Sequence, residues 1–133
     1  FNNEDEDKKT KKALRNFREY DIWIDAMEVV DAVYKITDKF PTNERYSLTS
    51  QITRSAVSMP LNIAEGAARN TDKEYVRFLF IARASATEIE TQLIIAENPG
   101  YITSIDNQLK EELLEISKML TALIYKIKQR IVK

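Results

Sequence analysis

The chain has 133 residues, 44% hydrophobic and 31% charged, with a formal net charge of −1, which is the profile of one globular domain with its own core. It contains no Cys and no His, which removes thiol nucleophiles, disulfides, imidazole acid–base chemistry and most zinc or copper sites. Two glycines and three prolines are too few for the tight turns of an all-β fold and point to long helices.

Residues 1–16 read as a disordered polar tail, with four consecutive acids followed by lysines and almost nothing to bury. The chain opens on Phe rather than Met and is read as trimmed or processed. Residues 17–133 read as the folded domain. Its first helix is expected from Asp21, as N-cap, to about Lys39. Trp23, Ala26, Val30, Val33, Thr37 and Phe40 make the core stripe, with Met27 and Tyr34 beside them. Phe40-Pro41 stops the helix, because proline disfavours helical geometry in the residue before it.

A second helix is expected over Leu48 to Arg69, capped by Ser47 or Thr49 and kinked at Pro60. Ile52, Ala56, Met59, Ile63 and Ala67 form its core side. Gln51, Ser55, Ser58, Asn62, Glu65 and Arg69 recur four and three apart, which holds all six on one face. Serine and asparagine are weak helix formers, so this face accepts a cost that a plain solvated face does not need. It is read as a contact surface for a neighbouring subunit, a nucleic acid or a polypeptide; the alternative is an ordinary solvated face.

Thr71 followed by Glu74 is a capping box that opens a third helix running to about Asn98. Its stripe is Tyr75, Phe78, Leu79, Ala82, Ala86, Ile89, Leu93 and Ala96, and the small residues around Arg83 let another helix come close. Asn98-Pro99-Gly100 is a strong stop. The last helix is expected from Thr103 or Ser104, with a stripe of Leu109, Leu113, Ile116, Leu120, Leu123, Ile127 and Ile131 whose period is near 3.5. Four amphipathic helices on short connections predict an all-α, antiparallel up-down-up-down four-helix bundle.

The catalytic candidates are carboxylates: Glu65, Glu88, Glu90 and Glu97. Glu88 and Glu90 stand about 200° apart on a helix and cannot act as a pair, and no phosphate loop or nucleophile elbow is present. No enzyme and no cofactor or metal are expected. Arg54, Arg69, Arg77 and Arg83 are either phosphate or carboxylate forks or partners of Glu65, Glu88 and Glu90. Lys118, Lys126, Lys128, Arg130 and Lys133 form a run of five bases without an acid, whereas residues 19–38 carry six acids and one base. The lysines of the last turns also suit the negative end of the helix dipole. No apolar run approaches the roughly 20 residues that cross a bilayer, so no membrane partner is expected, and the lack of cysteine is compatible with a cytoplasmic location.

The stretch FPTNERYSLTSQITRSAVSMPLNIAEGAAR, followed by EYVRFLFIARASATEIETQL, resembles the bundle proteins encoded by intervening sequences within bacterial 23S ribosomal RNA genes. The similarity covers about Phe17 to Ile127. Phe40-Pro41, Glu44-Arg45-Tyr46, Ser50-Gln51, Arg54, Pro60, Asn62 to Gly66, Arg69, Phe78-Leu79 and Glu88 to Leu93 carry it. Ser47 and Ala84 stand where that family usually has glycine. The resemblance implies a homo-oligomeric ring, typically a pentamer. It also implies distant kinship with retroelement accessory proteins that bind nucleic acid and a reverse transcriptase. Two partner readings follow: self-association through Gln51, Arg54, Ser55, Ser58, Asn62, Glu65, Arg69, Arg77 and Glu88, or association with RNA, or with a nucleic-acid enzyme, through the arginines and the Lys118–Lys133 cluster.

Overall fold

A computed structural model of the chain describes residue 17 and residues 20–132; the expected tail and Lys133 lie outside the described residues. The described chain has four α-helices: α1 (Asp21–Thr37), α2 (Leu48–Ala67), α3 (Asp72–Glu97) and α4 (Asn107–Val132). Each packs on its neighbour in sequence, α4 closes back on α1, and the α2–α3 contact is the most extensive. Ser58 of α2 meets Ser85 of α3 while Ser55 meets Glu88, so these two helices run antiparallel. Arg130 near the end of α4 meets Asp72 at the start of α3, which gives the same sense to that pair. This is the four-helix bundle expected from the periodicity.

The stripes converge on one core. Val29 and Val33 of α1, Ile52, Met59 and Ile63 of α2, Leu79, Ile89 and Leu93 of α3, and Ile116, Leu120 and Ile127 of α4 are fully buried. Burying each such side chain is worth about 1.5–3 kcal/mol, and this burial holds the helices together. Trp23 and Phe78 are only half-buried, and Met27 and Tyr34 are exposed, while Ile22 and Val29 fill the core instead. Toward the end of α4 the stripe turns from Leu123 to Ile124, and Ile131 is exposed.

The helix ends depart from expectation for local reasons. Tyr20, not Asp21, is the N-cap of α1, and no side chain caps it; Asp21 sits in the first turn, where its charge suits the helix dipole. The α1 helix stops at Thr37, before Phe40-Pro41. Ser47 is the N-cap of α2 but makes no capping bond. Glu44 does that work, its Oε2 accepting the Leu48 N–H at 3.2 Å. The α2 helix runs through buried Pro60 and ends at Ala67, two residues short of Arg69. Thr71 Oγ1 accepts the Glu74 N–H at 3.2 Å, while the Glu74 carboxylate turns to Arg77. At the end of α3, Gly100 takes a φ of 81°. The Tyr101 N–H reaches back to the Ala96 carbonyl at 3.1 Å and the Gly100 N–H to that of Glu97 at 3.0 Å, a closure that needs a left-handed residue.

The start of α4 is the largest correction. It opens at Asn107, not at Thr103 or Ser104. The Tyr101 ring packs on Phe40 with centroids 5.6 Å apart, and its hydroxyl donates to Glu44 Oε1 at 3.0 Å. Ile105 is buried. These contacts draw residues 101–105 across the end of the bundle, and Asp106 then accepts the Gln108 N–H at 2.8 Å, as an N-cap does.

Candidate subunit and partner surface

Eight of the nine residues expected at a contact fall on α2 and α3, and Arg69 follows two residues after the end of α2. The serines and the asparagine are not simply presented to solvent. The buried Ser55 hydroxyl lies 3.0 Å from Glu88 Oε2 and 3.0 Å from the Gln51 carbonyl. Ser58 Oγ accepts from Ser85 Oγ at 2.9 Å and from Asn62 Nδ2 at 3.0 Å. These bonds hold α2 and α3 close, and the small residues of both helices permit it. The expected contact face is therefore part internal joint and part open surface. Gln92 Oε1, one turn beyond Glu88 on α3, is buried without a hydrogen-bond partner.

The open part starts at the edge of this ladder. Gln51, Arg54 and Glu65 are exposed on α2, Arg69 just beyond its end, and Arg77 and Glu88 on α3. Arg69 pairs with Glu65 at 3.1 Å and Arg77 with Glu74 at 3.2 Å, and both guanidinium groups lie against the Phe78 ring, at 4.5 and 4.8 Å. Arg54 has no ion-pair or hydrogen-bond partner among the described residues. Beside these stand three apolar side chains outside the core stripes: Leu61 is 55% exposed, Val57 38% and Ile81 38%.

The charge runs are arranged differently from their linear order. The acids of α1 face acids of α4. Asp25 and Glu28 line one hollow with Glu111, Glu112 and Glu115, of about 510 Å³; Glu28, Asp31, Asp106 and Glu112 line an adjoining one of about 490 Å³. Burial, then Glu28, Asp21 and Glu115, push the Asp25 carboxyl up from its ordinary value. Burial also raises Glu112; a hydrogen bond from Gln108 opposes this, and Glu28, Asp25 and Asp106 add to it. The acidic run of α1 was visible in sequence; its meeting with Glu111, Glu112 and Glu115 needed the register of the bundle.

The basic cluster divides. At about 100° per residue, Lys118, Lys126, Lys128 and Arg130 spread over roughly 200° of α4. Lys126 and Arg130 line a hollow with Tyr20 and Asp21 on the α1 side, and Arg130 pairs with Asp72 at 3.1 Å. Lys128 lies on the α3 side, its Nζ 4.9 Å from the centre of the Phe80 ring. The carboxylates first considered for chemistry are also dispersed. Glu65 holds Arg69 and Glu88 takes Ser55, while Glu90 and Glu97 line a separate hollow of about 390 Å³ with Ile94, Lys110 and Leu114. Among the described residues no group of three or more carboxylates is placed to hold a metal ion, and no helix is long and apolar enough to cross a membrane.

The described residues form an all-α bundle with an internally hydrogen-bonded polar seam between α2 and α3 and an exposed apolar strip beside it. The chain belongs to the family of 23S rRNA-intervening sequence proteins, which it matches over residues 18–122. Its fold is similar to that of a protein of unknown function from the S23 ribosomal protein family of Bacteroides thetaiotaomicron VPI-5482. The TM-score is 0.66 at 23% identity, over 77% of this chain and 97% of that one. No curated protein matches the chain.

Proposed function

We propose that the chain is a non-catalytic subunit that associates with copies of itself into a closed ring, using its α2–α3 face. The observation that carries this reading is the exposed apolar strip of Leu61, Val57 and Ile81 beside Arg54, which has no ion-pair or hydrogen-bond partner among the described residues. Covering apolar surface is favourable in proportion to its area, and an unpaired guanidinium at the edge supplies direction. A contact between two different faces repeats head to tail and closes where the rotation allows. Five copies is the number that the family resemblance implies. The non-catalytic part of the reading is supported by the residue chemistry: the chain has no Cys or His, and the carboxylates at the candidate face are engaged with Arg69, Arg77 and Ser55.

Multi-angle light scattering tests it. The expected mass at micromolar concentration is five times the 15.4 kDa of one chain. Leu61→Asp places a charge in the strip and is expected to return the protein to single chains with unchanged helicity. A wild-type protein that stays at 15.4 kDa, or a variant that keeps the ring, would refute the assignment.

A further inference from the structure

We propose that the α3–α4 seam binds single-stranded nucleic acid, along a strip formed by Phe80 and Arg83 of α3 and Lys118, Thr121, Tyr125 and Lys128 of α4. The strip is on one subunit and does not depend on ring formation. It begins in the sequence. Residues 75–87 of α3 contain no acid, and neither do residues 117–132 of α4. The bundle lays these two stretches against each other, with Arg83 donating to Thr121 Oγ1 at 3.3 Å and Lys128 over Phe80.

Two aromatic rings of α3 show why this place differs from the rest of the surface. Phe78 and Phe80 each lie between two cations. Those at Phe78 are Arg69 and Arg77, and each is neutralised by a glutamate. Those at Phe80 are Arg83 and Lys128, both 4.9 Å from the ring centre, and neither is in an ion pair among the described residues. Arg83 uses one of its five N–H groups on Thr121, which leaves donors for a phosphate. Lys118 and Lys128 are exposed at either end of the α4 side. Between them Tyr125 is 68% exposed, a ring on which a base can stack.

Cations that follow a shallow seam, with a free aromatic face among them, are the elements that hold single strands without reading their sequence. An acidic polypeptide would use the cations and leave the Tyr125 ring idle. Three cations on a single strand give a logarithmic salt slope of about −2, so affinity should fall about 20-fold between ~50 and ~200 mM salt.

The test is fluorescence anisotropy of labelled oligo(dT) with the full chain. Lys128→Glu combined with Arg83→Glu is expected to abolish binding. Lys126→Glu makes the same charge change on the α1 side of α4 and is expected to have a far smaller effect than Lys128→Glu. Tyr125→Ala should weaken binding about tenfold through lost stacking. Four results would each overturn the proposal: no binding at low salt, equal losses for Lys126→Glu and Lys128→Glu, an unchanged affinity for Tyr125→Ala, or competition by polyglutamate as effective as that by unlabelled oligo(dT). The last would assign the strip to an acidic polypeptide instead.

Discussion

Gly66→Ala sets two opposing effects against each other, and the structure decides the sign. Gly66 is inside α2, where alanine favours helix by about 1 kcal/mol over glycine. On an exposed helix the substitution would stabilise. Here the added Cβ would stand 2.9 Å from Tyr75 Cδ1, 3.0 Å from Phe78 Cβ and 3.3 Å from the Tyr75 carbonyl oxygen. Two of these three atoms belong to the α3 backbone or are bonded directly to it, so a rotamer change cannot clear the space; α3 must move away from α2. Overpacking of this kind costs about 1–3 kcal/mol. The shift also stretches the Ser58–Ser85 bond of 2.9 Å, and a hydrogen bond is worth about 1 kcal/mol net. The balance is a loss of about 1–3 kcal/mol, or roughly 4–11 °C in Tm for a domain of this size. Thermal unfolding followed by circular dichroism at one fixed protein concentration measures it, since self-association would make Tm depend on concentration. Gly100→Ala is the contrasting control: no atom lies within 4 Å of its added Cβ, and its cost comes from the φ of 81° alone. A Gly66→Ala protein as stable as wild type, or more so, would refute the argument from close approach.

Glu112→Gln is expected to raise Tm at neutral pH, because it removes one charge from the α1–α4 carboxylate cluster and keeps an acceptor for Gln108. The pH dependence has a definite sign. Asp25 and Glu112 are raised in the folded protein, so their contribution is fully present below their ordinary values of 3.8 and 4.5 and is lost as pH rises through the raised ones. Acidifying from neutrality should therefore stabilise the wild type more than the Glu112→Gln variant; equal responses would exclude the cluster as the cause. Glu44→Gln should bring the Tyr101 phenol, raised chiefly by its hydrogen bond to Glu44, back toward 10.0, as read by near-ultraviolet titration. Thr71→Ala should cost about 1 kcal/mol in urea unfolding, since it removes the side-chain cap of α3.

What was legible in the sequence was whatever one helix decides for itself. Ile52, Met59 and Ile63, or Leu109, Leu113, Ile116 and Leu120, repeat at the helical period and are buried as expected. Thr71 and Pro99-Gly100 act within a turn of their own position. Apart from shifts of one or two residues at helix ends, the misses involve partners distant in sequence. Thr103, Ser104 and Asp106 are all acceptable caps, and the choice fell to Asp106 because Tyr101 is held by Phe40 and Glu44, more than fifty residues earlier. Glu44 itself sits in a polar loop with no periodicity, yet one oxygen caps α2 and the other holds Tyr101. The Ser/Asn face was correctly placed on one side of α2. That Ser55 and Ser58 would be consumed by Glu88 and Ser85 depended on the α2–α3 register, which one helix does not contain.

The two surfaces proposed for this chain rest on different forces, and salt separates them. The α2–α3 strip would associate by covering Leu61, Val57 and Ile81, a contribution that simple salt at moderate concentration scarcely screens. Its ion pairs Arg69–Glu65 and Arg77–Glu74 are exposed and worth little at any ionic strength. The α3–α4 strip would bind through unpaired cations, whose attraction for a polyanion depends on released counterions. On one sample taken from ~50 to ~200 mM salt, the mass measured by light scattering should hold while oligo(dT) affinity falls about 20-fold. A mass that falls together with the affinity would mean that association is also electrostatic. The acidic α1–α4 cluster, with Glu28 facing Glu112, would then be the face on which a neighbour's Arg54 or Lys128 is held.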